Sequence, residues 1–141
     1  MKTRKSWREK LETNKDLPKT LVIPAPREVD EVMAQVPHGK LTTIDEIRRC
    51  LARKHGTDIA CPLTTGIFAW IAAHAAAEAA AEGESVTTPY WRTLKSGGQI
   101  NPKYPGGVKA QCRLLKAEGQ KIVRKGQQFF VADYEKSLTG R

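Results

Sequence analysis

The sequence predicts a mainly α-helical domain with a small β component, of the winged helix-turn-helix class. Three segments between residues 26 and 82 place apolar side chains at helical spacing. A fourth helical segment follows, and then two short strand-like segments around Gly126. At 141 residues the chain is long enough for one domain that buries a core without disulfides or metals.

The first two helices have start and stop signals. Pro26 begins the first helix, and "PHGK" ends it. Its apolar side consists of Val29, Val32, Met33 and Val36. Thr43 and Glu46 form a capping box for the second helix, which ends before Gly56. The apolar stripe of the second helix consists of Ile44, Ile47 and Leu51.

A third, longer helix is predicted over residues 65–82, with Gly83 as its stop. Bulky residues lie on several sides of its first half, and we expect them to be buried: Ile67, Phe68, Trp70 and Ile71. Its second half is almost entirely alanine, which favours helix formation and allows a neighbouring backbone to approach closely.

The remainder of the chain divides at two points. We expect a basic N-terminal extension over residues 1–23, in which Trp7 and Leu11 could dock on the body, and a winged-helix domain over residues 24–119. Within that domain "GVKAQCRLLKAEG" is a helix that stops at Gly119, and residues 120–141 form a β-hairpin packed on the same domain.

The positive charge is unevenly distributed. The net charge is +9, with +4 over residues 1–20, −2 over residues 21–83 and +7 over residues 84–141. No lysine or arginine occurs between His55 and Trp91. Such a balance is typical of proteins that bind a polyanion such as DNA, and also of a merely solvated basic surface.

Cysteine content and hydropathy favour a soluble cytoplasmic protein. Three cysteines cannot all pair, and none lies in a CxxC motif. The charged start lacks a signal-peptide core, and the longest apolar run is interrupted by His74 and Glu78, so we expect no membrane association. His74 and Glu78 have no third ligand at metal spacing, and we expect neither metal nor cofactor.

Three stretches, in order, resemble one protein family. They are "VPHGKLTTIDEI" (Val36–Ile47), "PYWR" (Pro89–Arg92) and "KYPGGVKAQCRLLKAEG" (Lys103–Gly119). Together they are similar to the helix-turn-helix start, the P-C-H-R active-site motif and the Y-x-G-G…L-L-x-x-E-G segment of the O6-alkylguanine-DNA alkyltransferases. The resemblance covers about residues 27–119 and implies the C-terminal-domain fold of that family, which binds double-stranded DNA.

The resemblance places Tyr90 where the family has its alkyl-accepting cysteine and Trp91 where it has a histidine. The nucleophile of that chemistry is a thiolate, and a phenol with a pKa near 10 is a poor substitute. The chain is therefore more similar to the alkyltransferase-like proteins, which lack the cysteine and bind alkylated guanine without repairing it. This implies a DNA-repair protein that is not an enzyme.

The resemblance also implies a set of binding residues. Tyr90 and Trp91 would line a pocket for a flipped base, Arg92 would brace its loop, and Tyr104 with Gly106 and Gly107 would form a lid. The start of the third helix could offer hydroxyl and amide groups to a phosphate through Thr64, Thr65 and Gly66. The expected phosphate contacts are Lys95, Lys103, Lys109 and Arg113.

Three departures from the family keep other functions open. The family's tyrosine in the second helix is replaced by Ile44, and an asparagine is replaced by Glu82. The family's arginine that fills the vacated base stack would fall near Leu63 or Thr64, where this chain has no arginine. Flipping a base costs a few kcal/mol, and the tyrosine and the arginine usually help. The alternative function is a winged-helix module repurposed for protein–protein interaction, with a repair protein or another protein as its partner. A third hypothesis is an enzyme that uses Cys61 as its nucleophile, although we expect Cys61 to be an ordinary loop cysteine.

Overall fold

The structure, a computed structural model, describes residues 20–139. These residues form four α-helices and three two-stranded sheets. The helices are α1 (Pro26–Ala34), α2 (Ile44–His55), α3 (Pro62–Ala81) and α4 (Gly107–Ala117). The strands are β1 (Leu21–Val22), β2 (Thr42–Thr43), β3 (Ile59–Ala60), β4 (Thr93–Leu94), β5 (Ile122–Lys125) and β6 (Gln128–Val131). This mainly helical domain with a small β component confirms the predicted fold class.

The expected helix signals are confirmed in α1 and α2. Pro26 occupies the first turn of α1, where a missing amide hydrogen costs nothing. The hydroxyl of Thr43 accepts a hydrogen bond from the Glu46 amide at 3.2 Å. Gly56 closes α2 in the left-handed conformation at a φ of 63°. Their apolar stripes supply the buried residues Val29, Met33, Ile47 and Leu51.

The prediction for the first half of α3 is wrong. Ile67, Trp70 and Ile71 are exposed, and only Phe68 packs partly against the core. The buried face of α3 is instead formed by small residues: Thr65, Ala69, Ala72, Ala73 and Ala76. Because these side chains are short, α1 and α2 pack directly on this face, and the bulky residues turn outwards. The helix also begins three residues earlier than predicted, at Pro62.

Two of the sheets each consist of two parallel strands, and each strand is two residues long. The sequence did not predict them, because a strand of two residues is too short to show a periodic pattern. β1 pairs with β3, and β2 pairs with β4, with Thr42 opposite Thr93. The third is the antiparallel β5–β6 hairpin expected around Gly126. The β2–β4 pairing fixes the segment that follows Pro89 beside the start of α2.

The core has two parts, and a 3₁₀ turn at Tyr90–Arg92 lies between them. The first part joins α1, α2 and α3 around Met33, Ile47 and Leu51. The second joins β4, α4 and the hairpin; its buried members are Leu41, Leu94, Ile100, Leu115 and Val131. Tyr90 packs against the first part and Trp91 against the second, so the turn is held from both sides.

The basic extension falls almost entirely outside residues 20–139, and so do Trp7 and Leu11. Within the described part, no helix is long and apolar enough to cross a membrane. The same residues contain no cluster of three or more histidine, cysteine or acidic side chains that could hold a metal ion.

Candidate nucleic-acid interface

A buried ionic network fixes the turn that carries Tyr90 and Trp91. The guanidinium of Arg92 donates through Nη2 to Glu118 Oε2 at 2.7 Å and through Nε to Oε1 at 2.9 Å. Its Nη1 donates to the carbonyl of Val36 at 2.8 Å, just after α1. The indole Nε1 of Trp91 also donates to Glu118, at 2.8 Å. Arg92 therefore ties the turn to the ends of α1 and α4.

The charge of Glu118 suits this network. Burial raises the pKa of its carboxyl group, but the hydrogen bonds from Arg92, Trp91 and the Gly39 amide outweigh that effect and hold the pKa below its usual value. Glu118 is therefore ionised at neutral pH, and its side chain is only 6 % exposed. A carboxylate at this depth keeps both Arg92 and Trp91 in place.

Tyr90 stands in a group of three aromatic rings. Its ring meets Trp91 edge to face with centroids 5.3 Å apart, and meets Tyr104 in the same way at 6.1 Å. Burial raises the pKa of Tyr90 above its ordinary value, and it raises that of the deeply buried Tyr104 further. Both phenols are therefore protonated at neutral pH.

The loop between Asn101 and Gly107 is pinned from two helices. From α3, Trp70 Nε1 and His74 Nε2 lie 3.1 and 3.0 Å from the carbonyl oxygen of Lys103. From α4, Nε2 of the buried Gln111 donates to the carbonyls of Asn101 and Gly107. The loop is thus fixed at both ends and near its middle.

An open groove, which we call the α3 groove, lies between α3 and this loop. Its volume is about 540 Å³. It is lined by Pro62, Leu63, Gly66, Ile67, Trp70, Lys95, Asn101, Pro102 and Lys103. Leu63 is 70 % exposed and Trp70 is 44 % exposed. The groove therefore combines apolar and aromatic walls with two lysines and one amide, a combination that suits a planar ligand carrying negative charge.

The structure separates the predicted binding residues into several places. Lys95, Lys103 and Gly66 line the α3 groove, whereas Lys109 and Arg113 line a different groove beside α4. Tyr90 is partly buried next to Tyr104 and is not among the residues that line the α3 groove. The four expected phosphate contacts therefore do not form one set.

The side chain of Thr65 is fully buried, and its hydroxyl donates to the carbonyl of Cys61 at 2.7 Å, so this hydroxyl is directed into the protein. The hydroxyl of Thr64 lies 3.5 Å from the same carbonyl. Of Thr64, Thr65 and Gly66, only Gly66 lines the α3 groove.

Gly106 and Gly107 begin α4 with φ values of 76° and 67°, which other residues adopt rarely. A Cβ on Gly106 would also lie 2.5 Å from the Cβ of Ala110. The pair turns the chain from the pinned loop into α4.

Several residues of the site were not found from the sequence. Trp70 and Ile67 were expected in the core, and Gln111 gave no signal because its role depends on the path of a distant loop. Glu118 belongs to the quoted segment "KYPGGVKAQCRLLKAEG", so its position was visible although its partners were not.

Cys61 precedes α3, and its thiol has a distinct environment. Hydrogen bonds from the hydroxyl and the amide of Thr64 lower the pKa of Cys61. Burial instead raises the pKa of Cys112. The lowered pKa gives Cys61 a larger thiolate fraction than Cys112 at a given pH, without supplying a base or a substrate site.

Comparison with known proteins supports the fold. The structure of S. pombe Atl1 in complex with damaged DNA containing O6-carboxymethylguanine matches with a TM-score of 0.52 at 21 % identity, covering 80 % of this chain and 92 % of that chain. S. pombe ATL in complex with DNA matches with a TM-score of 0.51 at 20 % identity and the same coverage. Neither a protein-family model nor a curated protein sequence matches the chain. At this level of identity the chain shares the fold of these two proteins.

Proposed function

We propose that this chain is a non-catalytic DNA-binding protein of the alkyltransferase-like type, which binds duplex DNA and senses O6-alkylguanine for repair without alkyl transfer. The observation that carries the proposal is the α3 groove, which has apolar walls and two lysines, on the helix that the Tyr90 turn also contacts. The shared fold supports it, since both matching proteins were solved on DNA. The three-motif resemblance assigns Tyr90 to the position of the family's cysteine.

The chemistry of the turn argues against alkyl transfer. A nucleophile at Tyr90 would have to lose its proton, and burial raises the pKa of this phenol. Trp91 offers no basic nitrogen, because the indole N–H is a donor only and is directed at Glu118. Tyr90 is therefore suited to contact a base and unsuited to attack the alkyl carbon that an alkylated base carries.

The surface of α3 favours docking in the minor groove of DNA. α3 has no lysine or arginine, so it lacks the side chains that usually read the major groove. Proteins that bind the minor groove often insert an apolar wedge between base steps. Leu63, in the first turn of α3 and at the rim of the α3 groove, has the exposure that such a wedge requires. Lys95 and Lys103 would supply the contacts to phosphates.

Equilibrium binding to two duplexes tests the proposal. They differ only in one O6-methylguanine, and binding is measured at several salt concentrations. We expect tighter binding to the lesion, a falling affinity as salt rises, and loss of the preference in Tyr90→Ala. Equal binding with a steep salt slope would leave a DNA-binding module without lesion recognition. No binding to either duplex would overturn the proposal.

Leu63→Ala tests the wedge. We expect it to weaken binding to the lesion duplex about tenfold, because an unstacked base step would lose its apolar filler. Stability should change by less than about 0.5 kcal/mol, since the side chain is exposed. Val86→Ala removes an exposed side chain away from the α3 groove and is the matched control. Unchanged affinity in Leu63→Ala would exclude a wedge at this position.

One observation favours the second candidate function, a protein-interaction module. Four exposed apolar residues lie along the first three turns of α3: Leu63, Ile67, Trp70 and Ile71. A patch of this kind on a protein surface often marks an interaction site. Affinity purification that returns one stoichiometric protein partner, together with no binding to either duplex, would support this function over the first.

A further inference from the structure

We propose that a second groove, between α4 and β6, binds an acidic segment of a partner protein that carries an apolar anchor residue. We call it the α4 groove, and its volume is about 570 Å³. It is lined by Val108, Lys109, Cys112, Arg113, Lys116 and Phe129. None of these residues lines the α3 groove, so this inference does not depend on the proposed DNA site.

The floor of the α4 groove is apolar. Val108, Cys112 and Phe129 are half-buried and pack at the edge of the second part of the core. Each side chain thus has one side in the core and another on the groove. An aliphatic or aromatic side chain placed on this floor would bury apolar surface on both partners, which is how anchor residues dominate binding at protein interfaces.

The rim of the α4 groove is uniformly basic. Lys109, Arg113 and Lys116 recur at the spacing of one helix face, and all three are exposed. Nearby, the Arg124 guanidinium lies 5.8 Å from the ring centre of Phe129, which lines the groove. A partner segment with carboxylates beside its anchor would find opposite charges along its length.

No acidic side chain on these elements competes for that rim. From residue 107 to residue 131 the only acidic residue is Glu118. Its carboxylate is occupied by Arg92 and Trp91 inside the protein. The positive charge of the α4 groove is therefore available to a partner, where complementary charge chiefly raises association rate and specificity.

The combination of an apolar floor with a basic rim favours a protein segment over nucleic acid as the ligand of the α4 groove. Contacts to phosphates need only exposed basic side chains and gain nothing from an apolar floor. A bare basic helix face would have suited DNA, whereas here three partly buried apolar residues lie beneath the lysines and the arginine. Phosphates leave such a floor exposed, but an aliphatic or aromatic anchor covers it.

Selection from a displayed library of short random peptides on the full chain tests this inference. We expect enriched peptides with an aromatic or aliphatic residue flanked by aspartate and glutamate. A synthetic copy of the most enriched peptide should lose at least about tenfold in affinity on the triple variant Lys109→Glu, Arg113→Glu and Lys116→Glu. Arg113→Glu alone should give a smaller loss, and it provides a second variant if the triple variant is unstable.

A control of equal charge change reverses Lys40, Lys121 and Lys136, three exposed lysines that do not line the α4 groove. It should leave peptide affinity within about twofold. Four results would overturn the inference: no enriched peptide, enrichment without acidic residues, equal losses in both triple variants, or displacement of the peptide by unmodified duplex DNA with the same dependence on Arg113. The last result would assign the α4 groove to nucleic acid.

Discussion

At the scale of single residues, Glu118 determines the geometry of the candidate site. Its carboxylate accepts hydrogen bonds from Arg92 and Trp91 on the turn and one from the Gly39 amide before α2. One side chain thus joins the turn that carries Tyr90 to the end of α4 and to the loop after α1. Such a buried network is costly to break, because each remaining charge stays without a partner.

Glu118→Gln should lower the free energy of unfolding by about 3 kcal/mol, because it leaves the guanidinium of Arg92 without a counter-charge in a mostly buried position. Chemical denaturation followed by circular dichroism measures the loss. Glu135→Gln, on an exposed side chain, should stay within about 0.5 kcal/mol of the parent chain. Equal stabilities of the two variants would show that the network contributes little.

Two cysteines should differ in reactivity. The pKa of Cys61 is lowered by hydrogen bonds from Thr64, and that of Cys112 is raised by burial, so Cys61 has the larger thiolate fraction at neutral pH. Iodoacetamide at about pH 7.5 should alkylate Cys61 before Cys112, as followed by mass spectrometry of peptides. Thr64→Val removes the hydroxyl donor and should slow alkylation of Cys61. Faster labelling of Cys112 would contradict both assignments.

At the scale of elements, α3 packs against the core with one face and lines the α3 groove with the opposite face. Its small residues form the face on which α1 packs, with Ala69 and Ala73 fully buried. Leu63, Ile67 and Trp70 lie on the other side and line the α3 groove. Because the small residues let α1 approach closely, the buried face of α3 has no room for larger side chains.

Ala69→Leu should therefore destabilise the chain by about 1–3 kcal/mol, because the added atoms have to displace α1 or adopt strained rotamers. Thermal unfolding measures the change. Ala80→Leu makes the same replacement at an exposed position of α3 and should have almost no effect. A neutral Ala69→Leu would mean that α1 and α3 pack loosely.

At the scale of the whole molecule, an ionic contact joins the start of α1 to the end of α2. Glu28 Oε2 lies 2.8 Å from Lys54 Nζ and 2.7 Å from His55 Nε2, and Oε1 accepts from the Ala25 amide. Hydrogen bonds from Lys54, Ala25 and His55 lower the pKa of Glu28 to about 2. The first part of the core thus has an electrostatic contact across its surface.

Stability should decrease in acid through this contact. The folded-state pKa of Glu28 lies below its ordinary value of 4.5, so the stabilisation from this contact is complete above pH 4.5 and is lost as the pH falls towards 2. Denaturation profiles across this range should be flatter for Glu28→Gln, which should also cost roughly 1 kcal/mol at neutral pH. Glu78→Gln, on the exposed side of α3, should keep the parent profile. Parallel profiles for the parent and Glu28→Gln would contradict this assignment.

The sequence by itself determined the fold class, the presence of the four helices and the signals that begin and end α1 and α2. Pro26, Thr43 and Gly56 act within a few residues of their own position, so their effects follow from local geometry alone. These features depend on short-range chemistry, which is written directly in neighbouring residues.

Only the tertiary structure decided which face of α3 is buried and how the site is built. Bulky residues favour burial in general, but the closeness of α1 selects the alanine face, and this distance is not encoded in α3. The structure also divides the four predicted phosphate contacts between two grooves and brings Arg92 and Trp91 together at Glu118. Both arrangements depend on segments that are far apart in sequence. Contacts of that range arise from packing of the whole chain, so no local pattern could predict them.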